Sequence, residues 1–414
     1  MYYFSKDVIY VKGAICAALY DLNNKAVFSV NRDGRSVLDK VEQGCSACDF
    51  NDSEIAYIEK LAEMKLLSEE KSENTPPPEE KDRLIYVWLE LTDACNLRCV
   101  HCYGDFGYSV TRHSSLMKKD EWFRIIDEIA KYKGVGIQLI GGEPLANPDF
   151  TEILAYAGSK KIERIDIFTN ATLFTDNIID EIEKAGASVR ISIYGPNAEI
   201  HDGVTGRKGS FDRLVSTVKK LVAKGIRVTP AVIIMRENED HLEQTQHFIE
   251  SLGIKPNGYD VIRNTMPGKK NSHYVTKTEL LRPRYQCRPS FKTSYDEFYR
   301  FGVRNSCWDG KLAITASGDV IPCIFARSSV CGNVRSDSYD DILNCLRAEW
   351  KRTKDSIETC RDCEYRYACH DCRPTAEGTS GVKNSKHLRC TYDPYTGEWG
   401  AIEDQKTEIN VKNN

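Results

Sequence analysis

Between residues 84 and 265 six apolar, strand-like runs follow one another: "IYVWLEL", "GIQLIGG", "ERIDIFTN", "VRISIYG", "RVTPAVII" and "GYDVIRN". Amphipathic helical stretches such as "KKDEWFRIIDEIAKY" and "SFDRLVSTVKKLVAKG" lie between them. Regular strand–helix alternation with buried strands argues a parallel sheet or barrel, because a parallel pair needs a crossover and the crossovers cover the faces. Six units fall short of the eight of a closed TIM barrel. The expected fold class is α/β, with a partial (β/α)6 barrel at its centre.

The chain is longer than this core. At 414 residues, a prior of about 100–200 residues per domain suggests two or three domains. Residues 68–83, "SEEKSENTPPPEEKDR", combine charge with three consecutive prolines, the composition of an extended, solvated linker. Before them, "DVIYVKG", "AICAALYDL" and "AVFSVN" read as strands, and "RSVLDKVEQG" and "DSEIAYIEKLAEMKLL" as amphipathic helices. That strand-then-helix α+β module is near the lower size limit for independent folding. From about residue 270 the periodicity fades and ten cysteines appear between Cys287 and Cys390, a region to be held by metal more than by an apolar core. The expected division is therefore 1–67 for the N-terminal module, 68–83 for the linker, 84–270 for the core, 271–400 for a cysteine-rich domain and 401–414 for a polar tail.

Composition removes several classes of function. A formal net charge of −4 lacks the basic excess that phosphate neutralisation needs, so no nucleic-acid partner is expected. The N-terminus has no basic n-region, its apolar stretch is broken by Lys12, and no apolar run approaches a membrane span. The expectation is a cytoplasmic protein without a membrane partner. In reducing cytosol sixteen cysteines, several of them clustered, read as metal ligands rather than disulfides, with iron–sulfur favoured.

The sharpest cluster is "TDACNLRCVHCY". Cys95, Cys99 and Cys102 follow the strand "IYVWLEL" with C-x3-C-x2-C spacing, which places them on the first βα loop, where parallel α/β folds put their active sites. A cubane cluster takes four ligands, so three thiolates leave one iron open to a non-protein ligand. A structural zinc or buried free thiols is the rival reading, but no fourth cysteine is near and His101, adjacent to Cys102, cannot easily turn to the same metal. This motif resembles that of the radical S-adenosylmethionine (radical SAM) superfamily, with His101 in the position usually held by an aromatic residue. The resemblance implies catalytic Cys95, Cys99 and Cys102 holding a [4Fe–4S] cluster, and S-adenosyl-L-methionine chelating the open iron to give a 5′-deoxyadenosyl radical.

The second strand ends in Gly141-Gly142-Glu143-Pro144, similar to the superfamily's GGEP turn. Two glycines allow close backbone approach and Glu143 offers a charge-assisted acceptor, which the resemblance assigns to the methionine ammonium. Later segments, "FTNAT", "SIYGPN", "TGRKGSFD" and "AVIIMREN", look like further family motifs and offer Thr169, Asn170, Ser192 and Arg207 as contacts to ribose and carboxylate. Strand-end capping, or a surface arginine, is the rival reading for each.

The C-terminal cysteines resemble the SPASM extension, which implies two auxiliary [4Fe–4S] clusters. By that resemblance Cys307, Cys323 and Cys372 serve the first, and Cys360, Cys363, Cys369 and Cys390 the second. The last gap in the Cys360–Cys372 run is shorter than the family's, and the family's cysteine just before Cys307 is missing, so the first cluster takes Cys287 or keeps an open iron. A pair of treble-cleft zinc sites is the rival here. Cys331 and Cys345 fit neither set and read as incidental. Cys45 and Cys48 form a C-x2-C that could pair with Cys16 in a redox or metal site, or be a turn with spare thiols.

The N-terminal module resembles, by pattern and position, the winged-helix-like, PqqD-like RiPP recognition element. That implies capture of a precursor-peptide leader by strand addition at "AVFSVN". Together the resemblances imply a radical SAM/SPASM maturase that modifies a ribosomally made precursor peptide by thioether crosslinking of sactipeptide or ranthipeptide type, with an external electron donor such as flavodoxin or ferredoxin. Carbon–carbon crosslinking, peptide epimerisation and formylglycine formation are the alternatives within the class. A zinc-holding, partner-binding protein is the non-enzyme alternative.

Overall fold

The computed structural model describes residues 1–78, 82–104, 106, 116–263, 291–370, 372–387 and 390–400. The chain divides into two units, one of Met1–Lys81, Pro283–Asp309 and Trp350–Asn414, the other of Asp82–Arg282 and Gly310–Glu349.

The first unit opens with β1 (Tyr3–Phe4), β2 (Val8–Lys12), β3 (Ala17–Asp21) and β4 (Ala26–Val30), followed by α1 (Arg32–Glu42), α2 (Asp52–Glu63) and β5 (Leu67–Ser68). β2, β3 and β4 form an antiparallel meander, and β5 returns to pair with β1. Both helix starts are written in the sequence. Asn31 accepts from Gly34 N at 2.9 Å, and Asn51 with Glu54 closes a capping box. All five residues of β3 are buried, because both faces of the meander are covered. Val8, Leu19 and Val30 pack with Leu38, Val41, Ile58 and Leu61 on one face. On the other, Val11, Ala18, Tyr20 and Val27 pack with Phe298, Tyr365, Ala368 and Tyr392. The cysteine-rich segment thus supplies half the core of the N-terminal sheet.

The expected free linker differs from what is found. Asp7 N donates to Asn74 Oδ1 at 2.6 Å, Asn74 Nδ2 donates to Val8 O at 3.3 Å, and Ser72 Oγ to Phe4 O at 3.3 Å. The backbone at the β1–β2 corner offers groups that need partners, and a polar segment passing over them supplies these. The linker's first part is therefore laid down on the module.

The second unit realises the alternation. β6 (Tyr86–Glu90), α3 (Lys119–Ile129), β7 (Gly136–Ile140), α4 (Phe150–Gly158), β8 (Arg164–Thr169), α5 (Asp176–Lys184), β9 (Ser188–Ser192), α6 (Ala198–Thr205), α7 (Ser210–Ala223), β10 (Val228–Ile234), α8 (Leu242–Ser251) and β11 (Tyr259–Val261) follow in order. Three further strands, β12 (Lys311–Ile314), β13 (Asp319–Ile321) and β14 (Gly332–Asn333), extend the sheet beyond β6, giving the order β11-β10-β9-β8-β7-β6-β12-β13-β14. The pairing is parallel from β11 to β12 and antiparallel after it. The sheet is open, as six units imply. Contacts do not divide the chain at residue 270, since residues 310–349, read from the sequence as part of the cysteine-rich domain, group with the core. Strands of four, three and two residues are too short to show a period.

One face of the sheet is apolar and the other polar. Val87, Leu89, Ile137, Leu139, Ile165, Ile167 and Val189 lie in register and are buried. The alternate positions carry Tyr86, Trp88, Glu90, Gln138 and Asp166. There the Tyr86 hydroxyl donates to Asp166 Oδ2 at 2.9 Å, and the Ser188 hydroxyl reaches Oδ1 at 2.5 Å. Among the described residues no helix is long and apolar enough to cross a membrane.

Candidate active site and cysteine sites

The loop after β6 carries Cys95, Cys99 and Cys102 and is fixed from two sides. On one side the turn after β7 docks on it, with Gly142 N donating to Thr92 O at 2.9 Å and Glu143 N to Ala94 O at 2.8 Å. A Cβ on Gly141 would sit 2.4 Å from Thr92 O, and one on Gly142 2.4 Å from Ala94 O. The close approach that demands these glycines is therefore to the cysteine loop itself. On the other side, Arg98 N and Val100 N donate to Thr205 O and Val204 O at 2.9 and 3.0 Å. Gly206, at φ +65°, leaves room for Arg98 O where a Cβ would come within 2.9 Å. Left-handed backbone and a close carbonyl together select glycine there.

Asn96, which the sequence did not single out, ties these braces together. Its Nδ2 donates to Thr172 Oγ1 at 2.7 Å, its Oδ1 accepts from Asn170 Nδ2 at 2.9 Å, and its carbonyl accepts from Arg207 Nη1 at 2.8 Å. The structure thus places Asn170 and Arg207, expected as cofactor contacts, on the loop that holds the cysteines.

Glu143 is 1% exposed. It accepts from the Thr169 hydroxyl at 2.6 Å, Asn170 N at 2.7 Å and Leu145 N at 3.2 Å. Burial nevertheless pushes its carboxyl up to about 7, the three donors pulling the other way. Pro144 is buried and begins the short turn Pro144–Ala146. Ser192 is buried at the end of β9. The His101 ring meets the edge of Tyr194 at 4.8 Å. Tyr194 N donates to His201 Nδ1 at 3.3 Å, and burial holds the His201 imidazole down at about 4, hence neutral.

Two of the loop's thiols, Cys95 and Cys99, are desolvated acids. Burial raises Cys95 to about 11 and Cys99 to about 12, and neighbouring cysteines add to each rise. Thiols in such a place become thiolates when a metal takes the proton's position. Beside them Arg327 pairs with the buried Glu90, Nη1 to Oε2 at 2.8 Å, and covers the rings of Tyr103 and Phe106, each at 5.5 Å. This ion pair lies at the end of β6, and only the odd placement of a glutamate in "YVWLE" hinted at it.

In the first unit a partly open cavity is lined by Cys360, Cys363, Cys369 and Cys390. These are the four residues assigned by resemblance to the second auxiliary cluster. Desolvation drives the Cys363 thiol well above the ordinary thiol range. The first set is split, with Cys307 and Cys372 in this unit and Cys323 in the other. Cys372 caps the helix Arg373–Ser380, its Sγ 3.1 Å from Thr375 Oγ1. Cys287 lies outside the described residues. Among the described residues no three His, Cys, Asp or Glu side chains are gathered to hold a single metal ion. Cys16 sits against Gly397, whose Cβ would meet its Sγ at 2.6 Å, while Cys48 is exposed beside Ser46 Oγ. Cys331 and Cys345, read as incidental, are joined as a disulfide with Cα atoms 5.3 Å apart. Their spacing of fourteen residues gave no sign of it, since strand pairing and the helix Tyr339–Trp350 bring them together.

An open parallel sheet whose first crossover loop carries C-x3-C-x2-C is the architecture of a radical SAM domain. Comparison agrees: residues 89–249 match the Radical SAM superfamily, and residues 307–364 match SPASM, an iron–sulfur cluster-binding domain. The chain thus carries a Radical SAM domain and a SPASM domain. It is 28% identical over 345 residues to the AdoMet-dependent heme synthase of Methanosarcina barkeri, spanning 75% of this chain and 97% of that one. It is 27% identical over 270 residues to the antilisterial bacteriocin subtilosin biosynthesis protein AlbA of Bacillus subtilis, spanning 63% of this chain and 59% of that one. Among solved structures, Streptococcus suis SuiB bound to precursor peptide SuiA has the same fold, with a TM-score of 0.59 at 14% identity over 94% of this chain and 100% of that one.

The cofactors of these domains are a [4Fe–4S] cluster with S-adenosylmethionine, and auxiliary iron–sulfur clusters. The residues fit them. Three mutually adjacent, half-buried thiols on one braced loop can supply three ligands, and four thiols line one cavity in the other unit.

Proposed function

We propose that this enzyme modifies a ribosomally made precursor peptide, forming thioether crosslinks between a cysteine sulfur and a peptide carbon. The single observation behind the reading is the build of the first unit, where a strand-and-helix module able to take an added strand shares one core with the four-cysteine segment. Likeness in fold to SuiB over 94% of the chain supports it, as does the relationship to AlbA.

In this reading Cys95, Cys99 and Cys102 hold the cluster, and when S-adenosylmethionine is bound the pair supplies the radical that removes a hydrogen atom from the peptide. The chain's own residues then have definite tasks. Gly141 and Gly142 let the turn lock the cysteine loop, and Asn96 and Arg207 keep it in place. Glu143 presents a carboxylate whose proton, held up to about 7 by burial, is released when a cationic group such as an ammonium binds beside it. Thr169 and Asn170 orient that carboxylate, and Ser192 and His101 border the same loop region. The Cys307, Cys323 and Cys372 set and the Cys360, Cys363, Cys369 and Cys390 set hold the two auxiliary clusters, and an external flavodoxin or ferredoxin delivers electrons.

The test is co-expression with a small cysteine-rich precursor encoded beside the gene, followed by thiol alkylation and mass spectrometry. Loss of two mass units per site with matching alkylation-resistant cysteines is the expected result. The same loss with every cysteine still alkylable points to carbon–carbon bonds, and an unchanged mass points to epimerisation or a different substrate. One observation favours a second reading, since the heme synthase match extends over 97% of that relative. Heme formation by the purified enzyme would place it with those synthases instead.

A further inference from the structure

Glu90 and Arg327 form an ion pair to which the proposed function gives no task. Glu90 ends β6 and is 2% exposed. Arg327 lies on the loop after β13, the loop that also carries Cys323. Its guanidinium takes both carboxylate oxygens, Nη1 to Oε2 at 2.8 Å and Nη2 to Oε1, a bidentate fork that fixes direction as well as distance. Tyr103, the residue after Cys102, packs against both partners. Its hydroxyl donates to Glu90 Oε1 at 3.4 Å, and the Arg327 guanidinium lies 5.5 Å from its ring centroid. Phe325 and Phe106 meet the same ring edge-on at 5.1 and 5.4 Å.

The braces already described act on earlier parts of the cysteine loop, at Thr92, Ala94, Asn96, Arg98 and Val100. Cys102 N donates to Cys99 O at 3.2 Å, a bond within the loop that ties it to no other element. The clamp on Tyr103 therefore acts at the end of the loop that those braces leave to itself. Holding an aromatic ring does not call for charge, because a buried ion pair is often no more stabilising than a well-packed apolar replacement. What the fork adds is a defined register between β6, Tyr103 and the loop of Cys323. We propose that Glu90 and Arg327 are positioning residues of the cysteine loop, clamping Tyr103 so that the Cys102 thiol keeps its place. The inference rests on reading Cys95, Cys99 and Cys102 as ligands of one cluster.

The experiment is timed iodoacetamide alkylation of the full-length, iron-free, reduced protein, with Cys102 and the exposed Cys48 followed by peptide mass spectrometry. Arg327→Met alone leaves the Glu90 charge buried and uncompensated, so the decisive variant is Glu90→Leu with Arg327→Met, in which both charges go together. It should melt no lower than the wild type while Cys102 reacts about tenfold faster, the effect on local opening of losing one charged hydrogen bond. Cys48 should not change, and Arg327→Lys, which keeps the charge but not the fork, should fall between wild type and the double variant. Reconstituted anaerobically, the double variant should keep its iron and form 5′-deoxyadenosine roughly a hundredfold more slowly. A wild-type Cys102 rate in the folded double variant overturns the proposal. Equal acceleration at Cys48, the mark of general loosening, overturns it too, as does wild-type nucleoside formation. The underlying reading fails separately, if replacing Cys95, Cys99 and Cys102 by Ala leaves iron and nucleoside formation unchanged.

Discussion

Gly142→Ala adds one methyl group at the place where the turn after β7 meets the cysteine loop. The new Cβ would lie 2.4 Å from Ala94 O and 2.7 Å from Ala94 C. Both are backbone atoms that cannot swing aside, so loop and turn must separate by at least about half an ångström before the contact is tolerable. The bonds from Gly142 N to Thr92 O and from Glu143 N to Ala94 O, at 2.9 and 2.8 Å, lengthen together. At about 0.5–1.5 kcal/mol each, losing both costs about 1–3 kcal/mol locally. Cys95 follows Ala94 directly, so the displacement falls on a ligand, and a misplacement of this order costs roughly a hundredfold in rate. The assay is 5′-deoxyadenosine formed per hour from S-adenosylmethionine under dithionite, with iron content and the thermal midpoint of the same sample. The expected variant stays folded, loses iron or nucleoside formation, and differs from a Gly203→Ala control, where a Cβ meets nothing and the backbone is not left-handed. Wild-type iron and wild-type nucleoside output in Gly142→Ala would show that the turn does not position the loop.

Replacing Cys95, Cys99 and Cys102 together by Ala should remove about four irons per chain and abolish 5′-deoxyadenosine formation; unchanged nucleoside production would sink the assignment. The carboxyl of Glu143 is raised on folding, so the protonated form stabilises the fold at low pH and that contribution, about 3 kcal/mol, fades as pH rises through about 7. The thermal midpoint of iron-free, cofactor-free protein should therefore drop between pH 5.5 and 8 in the wild type more than in Glu143→Gln, and equal drops would refute it. Excised as residues 1–78, the N-terminal module should fail to unfold cooperatively, because Val11, Ala18, Tyr20 and Val27 lose their partners; a sharp transition by circular dichroism would show that its helix-side core suffices. Leu38→Ala, at a fully buried position in that core, should cost about 2–5 kcal/mol by chemical denaturation.

What could be read from the sequence was what is local. Six buried runs and C-x3-C-x2-C each lie within a dozen residues, where period and loop position speak directly. What escaped depends on contacts distant in the chain. The strands β12–β14 join β6 across more than two hundred residues, Arg327 meets Glu90 across a similar gap, and Cys331 finds Cys345 only through the packing of a strand and a helix. The glycines of the GGEP turn show a third case. Their need for close approach was clear from the residue type, but the partner, the backbone of Thr92 and Ala94, required coordinates.

The arrangement of the first unit changes how the N-terminal module must be understood. A module hung on a free tether would act on a distant centre only by raising local concentration. Here its sheet is one wall of a core whose other wall is the cysteine-rich segment. The Tyr20 hydroxyl donates to Glu364 O at 2.8 Å, and the Tyr365 hydroxyl donates to Ser29 Oγ at 2.7 Å. Glu364 and Tyr365 directly follow Cys363, which lines the four-cysteine cavity. β4 is also an edge of the three-stranded sheet, and Val27 N on it already donates to Phe291 O at 3.2 Å. The peptide strand proposed to add there would have to displace that carbonyl. The edge strand β4 and the four-cysteine cavity are thus linked by one hydrogen bond, between Ser29 on β4 and Tyr365 in the cavity's lining.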